Sequence, residues 1–165
     1  MTGIARRLAG TAALGPALAA GFAGATPATA AEGAIHPGVM TLTDGAQCTA
    51  NFVFTSGADT FIGQAAHCSG TGGATETNGC DAGSLPLGTK VEVDGATQPG
   101  ALVDNSWLAM QAANESDPST CQYNDFALIR IDPADVANVS PEIPVLGGPT
   151  GIDRDGVATR EEVFS

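Results

Sequence analysis

Lys90-Val91-Glu92-Val93-Asp94 alternates polar and apolar positions with a period of two, the pattern of a strand with one face buried. Short apolar runs also occupy Val39 to Phe54 and Thr60 to Gly63, separated by the turn clusters Thr43-Asp44-Gly45 and Ser56-Gly57-Ala58-Asp59. Phe126 to Ile131 is a compact β-prone run stopped by Asp132-Pro133. Residues 69–84 are mostly Gly, Thr, Ser and Asn, which predicts a surface loop anchored near its middle by Cys80. The stretch from Leu102 to Met110 fits neither period cleanly, Glu115 to Ser119 reads as loop, and residues 134–139 leave room for one helical turn at most. Glycines 147, 148, 151 and 156 with Pro149 mark a connector, and Val157 to Ser165 reads as the approach to a further strand. There are no heptads, internal repeats or nucleotide-binding glycine motifs. Short strands with Gly-rich turns predict an all-β fold, as a barrel or a sandwich.

The start of the chain obeys different rules. Arg6-Arg7, an Ala/Gly/Leu-rich stretch from Leu8 to Ala25 and Ala28-Thr29-Ala30 predict a secretory signal peptide over residues 1–30, cleaved after Ala30, and hence a secreted protein. The paired arginines also suit a twin-arginine export signal. A membrane helix fits less well, because Gly10, Gly15, Pro16, Gly21 and Gly24 interrupt a weakly apolar stretch. The chain beyond Ala30 amounts to one domain. The full sequence's formal net charge of −12, more negative still once Arg6 and Arg7 leave with the leader, repels phosphate backbones and anionic membranes. Neither a nucleic-acid nor a membrane partner is expected.

Four cysteines, Cys48, Cys68, Cys80 and Cys121, predict two disulfides in an exported chain, with three possible connectivities. A zinc site is the competing use of such residues. The chain has no Cys-x-x-Cys and only His36 and His67 to assist, so no metal or other cofactor is expected. No loop has the ligand spacing of a recognised calcium site either.

Residues 48–68, CTANFVFTSGADTFIGQAAHC, run from a cysteine through one strand and a turn into a second strand that ends in Ala65-Ala66-His67-Cys68. Downstream, Asn124-Asp125 leads into FALIRI. These two segments resemble the trypsin/chymotrypsin serine protease family, in which an Ala-Ala-His-Cys element presents the catalytic histidine and an Asp-x-Ala-Leu element presents its aspartate. The resemblance covers roughly residues 39–146 and implies a single Greek-key β-barrel over 31–146, the first of that family's two barrels, with 147–165 as linker and incomplete start of the second. It implies His67 as general base and Asp125 as the carboxylate that orients its imidazole, in the chymotrypsin-type order of histidine before aspartate. It further implies that Cys48 bonds to Cys68, and hence Cys80 to Cys121.

The family pattern breaks in two places. Its serine comes about 90 residues after the aspartate, beyond Ser165, and no serine of this chain, Ser106 and Ser140 included, lies in a Gly-Asp-Ser-Gly setting. No nucleophile is therefore expected in this chain, and a histidine and aspartate activate a nucleophile without replacing it. At the other end, His36-Pro37-Gly38-Val39 stands where many members carry Ile-Val-Gly-Gly, and His36 reads as a surface turn residue. The expectation is a serine endopeptidase lineage, inactive as this chain and acting on peptide or protein substrates if completed by a second barrel. The alternative is a non-catalytic secreted binding module that retains the pair.

Overall fold

Asp-Gly at positions 44–45 favours a tight hairpin, since both residues must take positive φ to match the right-handed twist of the flanking strands. In the computed structural model Asp44 has φ 49° and Gly45 φ 84°. They join β1 (Met40–Thr43) to β2 (Ala46–Thr49), with Met40 opposite Thr49 and Thr43 opposite Ala46. A second hairpin, turning at Gly57 with φ 59°, joins β3 (Val53–Ser56) to β4 (Asp59–Gln64). The structure describes residues 33–73, 76–149, 154 and 156–160. The signal peptide expected over 1–30 lies outside them.

The remaining strands are β5 (Lys90–Val93), β6 (Gly100–Asn105) and β7 (Ala127–Arg130). The seven strands form one sheet in the order β2-β1-β5-β6-β7-β4-β3, with every ladder antiparallel. Among the described residues the fold is thus mostly antiparallel β with two short α-helices, in line with the all-β expectation. β2 and β3 stand at the two ends of the order, so strand pairing does not close the sheet. They are consecutive in the chain, and the residues between them look both ways: Ala50 N–H donates to Val39 beside β1, and Asn51 N–H donates to Gly63 in β4.

Alternation in β5 and β7 places Val91, Val93, Ala127 and Ile129 in the core with Ile35, Ile62, Leu102 and Ile131. In β6 the alternation slips. Leu102 pairs with Ile129 and Asp104 with Leu128, so Val103 is an extra residue in a β-bulge. The slip puts Asn105 inside, 1 % exposed.

The ambiguous stretch from Leu102 to Met110 is the junction of β6 with a helix, α1 (Ser106–Ala113). Asn105 caps it by accepting from the N–H groups of Trp107 (2.9 Å) and Leu108 (3.4 Å), and Asn114 ends it at φ 53°. The loop expected over 115–119 ends earlier, at Asp117. Asp117 caps α2 (Pro118–Tyr123) by accepting from Thr120 N–H at 2.8 Å, with Pro118 in the first helical position where its missing N–H costs nothing.

Trp107 and Met110 lie on one side of α1 and build a second apolar cluster with Ala66 and Ala82. The 69–84 loop is therefore only partly a surface feature: Gly79 and Ala82 pack inward against that cluster. A 3-10 turn over Val136–Asn138 fills the region where one helical turn was allowed. Of the strand entry expected over 157–165, residues 157–160 hold no strand, and 161–165 lie outside the described residues. No described helix is long and apolar enough to cross a membrane.

Candidate functional site

β4 ends at Gln64, and Ala65, extended at φ −72° and ψ 147°, turns the chain into a 3-10 turn over Ala66–Ser69. Cys68 N–H donates to Ala65 and Gly70 N–H to His67. Ala66 is fully buried and Cys68 is 2 % exposed, so both neighbours of His67 are gripped by the interior while its side chain stays 53 % exposed. Cys68 is also bonded to Cys48, with Cα atoms 6.0 Å apart. The turn is thereby held to β2.

Asp125 sits between the end of α2 and the start of β7. The Cys80–Cys121 disulfide, Cα atoms 5.2 Å apart, and the bond from Gly79 N–H to the Cys121 carbonyl fasten α2 to the 69–84 loop. On the β7 side, Ser106 N–H donates to the Phe126 carbonyl at 2.8 Å. The four cysteines are all paired, as two disulfides.

These two placements bring His67 and Asp125 together across 58 residues of sequence. His67 Nδ1 lies 2.6 Å from Asp125 Oδ2, and the His67 backbone N–H donates to Oδ1 at 2.9 Å. A carboxylate only accepts, so the imidazole donates from Nδ1 and its lone pair resides on Nε2, which is not bonded to Asp125. The aspartate thus fixes tautomer and ring orientation together. The pair can take a proton at Nε2 while the carboxylate balances the charge on the ring.

No protein-family model, curated protein or solved structure matches the chain.

Beside the imidazole lies a recess of about 280 Å³ lined by Gln47, the Cys48–Cys68 bridge, His67, Gly70 and Glu76. Nothing in the linear sequence marked it, because its walls come from β2, the histidine turn and the Gly-rich loop. Cys48, His67 and Cys68 place three potential metal-ligand atoms within 4.8 Å of one another, yet both sulfurs are committed to the disulfide and are not thiolates. Among the described residues, no serine hydroxyl is hydrogen-bonded to His67. His36 lies apart from the pair, its Nδ1 donating to the Pro37 carbonyl at 2.8 Å.

A third polar device, unread from the sequence, supports the sheet. Asp135 is fully buried and accepts from Thr97 N–H (3.0 Å), Gln98 N–H (2.9 Å) and Thr97 Oγ1 (2.9 Å). Burial pushes its carboxyl up, but these bonds together with Asn138 outweigh it and hold the group below its ordinary value.

Proposed function

We propose that this chain carries the histidine and aspartate of a secreted trypsin-like serine endopeptidase, with His67 as general base and Asp125 as its orienting carboxylate. The observation that carries the reading is the two-point contact between Asp125 and the histidine: imidazole Nδ1 at 2.6 Å and backbone N–H at 2.9 Å. A surface ion pair needs only the first of these. The second makes the aspartate sense the backbone of the turn itself, as a base that must keep its aim during proton transfer requires. In that role Nε2 takes the proton of an attacking hydroxyl and returns it to the leaving amine, while Asp125 stabilises the imidazolium.

Other features support the same reading. The bent segment 46–56, whose halves are β2 and β3, spans both ends of the strand order and would close the sheet as a Greek-key barrel. Two disulfides suit an oxidising, extracellular setting. The recess against the Cys48–Cys68 bridge suits a peptide or protein segment lying beside the histidine. No serine of the sequence stands in a Gly-Asp-Ser-Gly setting, so these residues supply base and carboxylate but no nucleophile, and they are inactive alone. The same lack favours a second reading, a binding module of the same fold in which the pair is idle.

Two measurements test this. A fluorophosphonate probe, which labels base-activated serines, is expected to leave the purified oxidised chain unlabelled; labelling that disappears in His67→Ala overturns the claim of inactivity. If the DNA beyond codon 165 encodes Gly-Asp-Ser-Gly in one of its three frames within about a hundred codons, it supplies the nucleophile. The chain so extended is expected to cleave casein in a His67-dependent way. A genome with no such codons leaves the binding module standing.

A further inference from the structure

We infer that Asn105 and Ser106 form a brace that sets the His67–Asp125 distance, Ser106 being a positioning residue for the carboxylate and Asn105 for the histidine turn. The inference rests on reading that pair as base and orienting carboxylate.

The Ser106 hydroxyl donates to the Asn124 carbonyl at 2.7 Å and accepts from Phe126 N–H at 3.0 Å. Ser106 N–H adds a bond to the Phe126 carbonyl at 2.8 Å. One side chain thus grips the backbone immediately before and immediately after Asp125. Its own proton is already given to a carbonyl, so Ser106 is held as a strut and not as a nucleophile.

Asn105, buried at the bulged end of β6, reaches the other partner. Its Nδ2 donates to the Ala66 carbonyl at 3.3 Å, one residue before His67, and to Ser84 Oγ at 3.2 Å, while its Oδ1 caps α1. The peptide bond between residues 105 and 106 is trans, so their Cα atoms are about 3.8 Å apart. The turn bearing the imidazole and the segment bearing the carboxylate are therefore tied to points one peptide unit apart. That matters because the His67 and Asp125 side chains are 53 % and 34 % exposed. An ion pair in that much water does not hold its own geometry against rotamer freedom and solvent competition. Backbone anchors must do so.

The test reads the imidazole directly. The purified oxidised chain is labelled with ¹⁵N-histidine, and the ring nitrogens are followed by NMR at neutral pH, with His36→Gln assigning the second histidine. Wild type is expected to hold His67 in the Nδ1–H tautomer, and Asp125→Asn to abolish that preference. Ser106→Ala is expected to move His67 toward the Nε2–H form that free imidazole favours, and Ser106→Thr, which keeps the hydroxyl, to restore the wild-type spectrum. Asn105→Ser preserves a capping oxygen but is too short to reach Ala66, and it is expected to shift the tautomer in the same direction as Ser106→Ala. Melting temperatures recorded in parallel separate stability from aim, since a purely structural role lowers the melting point and leaves the tautomer alone. Folded Ser106→Ala and Asn105→Ser proteins with the wild-type tautomer overturn the brace and leave the pair intact. A wild-type His67 without the Nδ1–H preference overturns the pair itself, and the brace with it.

Discussion

Replacing Cys80 and Cys121 together by alanine is expected to cost about 3.9 kcal/mol at 25 °C. The bridge spans a sequence separation of 41, and the chain-entropy relation for a loop of that size gives this loss through the freedom returned to the unfolded chain. Cys121 is 7 % exposed, so a small packing loss adds to it. With an unfolding entropy of roughly 2.1 cal/mol/K per residue over roughly 120 ordered residues, the melting temperature should fall by about 15 °C. Trp107 is the chain's one tryptophan and is 2 % exposed, which makes its fluorescence a clean reporter of urea unfolding. The urea slope should also rise, because the uncrosslinked chain exposes more surface on unfolding. The Cys48–Cys68 pair, with a separation of 20, is expected to cost about 3.3 kcal/mol, nearly as much. A loss below about 1 kcal/mol for the longer loop, or one several times larger for the shorter, would falsify the loop-entropy account and point to native-state packing instead.

Three further outcomes are expected. Because hydrogen bonds hold the Asp135 carboxyl below its ordinary 3.8, the unfolded chain takes up its proton first on acidification. Stability should therefore decline as pH falls from 3.8 toward the folded-state value, and Asp135→Asn should flatten that decline in acid urea titrations. A methyl group in Gly79→Ala would run into the Trp107 ring and the Met110 Cε, so a loss of about 1–3 kcal/mol is expected by the same fluorescence assay. Ile129→Ala, at a fully buried position at the centre of the sheet, should cost about 2–5 kcal/mol; a cost under about 1 would mean the site collapses around the smaller side chain.

The strands were legible where alternation and punctuation coincide. Val91 and Val93 point inward and their neighbours outward, and Asp44-Gly45 turns where an Asp-Gly pair should. The helix α1 was not, for a physical reason. Only Trp107 and Met110 need burial, so no apolar stripe develops, and β6 runs into the helix without a glycine or proline between them. Its one local signal is Asn105, and α2 offered the pair Asp117-Pro118, a cap followed by a helix-starting proline. At the site, His67 and Asp125 stood out through their neighbours in sequence, whereas the residues around them did not. Ser106, Asn105 and Asp135 act by hydrogen bonds to backbone 18 to 39 residues away, a distance over which local composition carries no information.

Val103, the odd residue of β6, acts as a phase shifter for the end of its strand. Were it drawn into the regular ladder, Asp104 would fall into step with Leu102 and face the interior, while Asn105 would rotate toward solvent with the start of α1 behind it. A strand is unusually sensitive to such a change, since one position is half its repeat. The geometry around His67 is thus set, at some remove, by the parity of a residue count on β6.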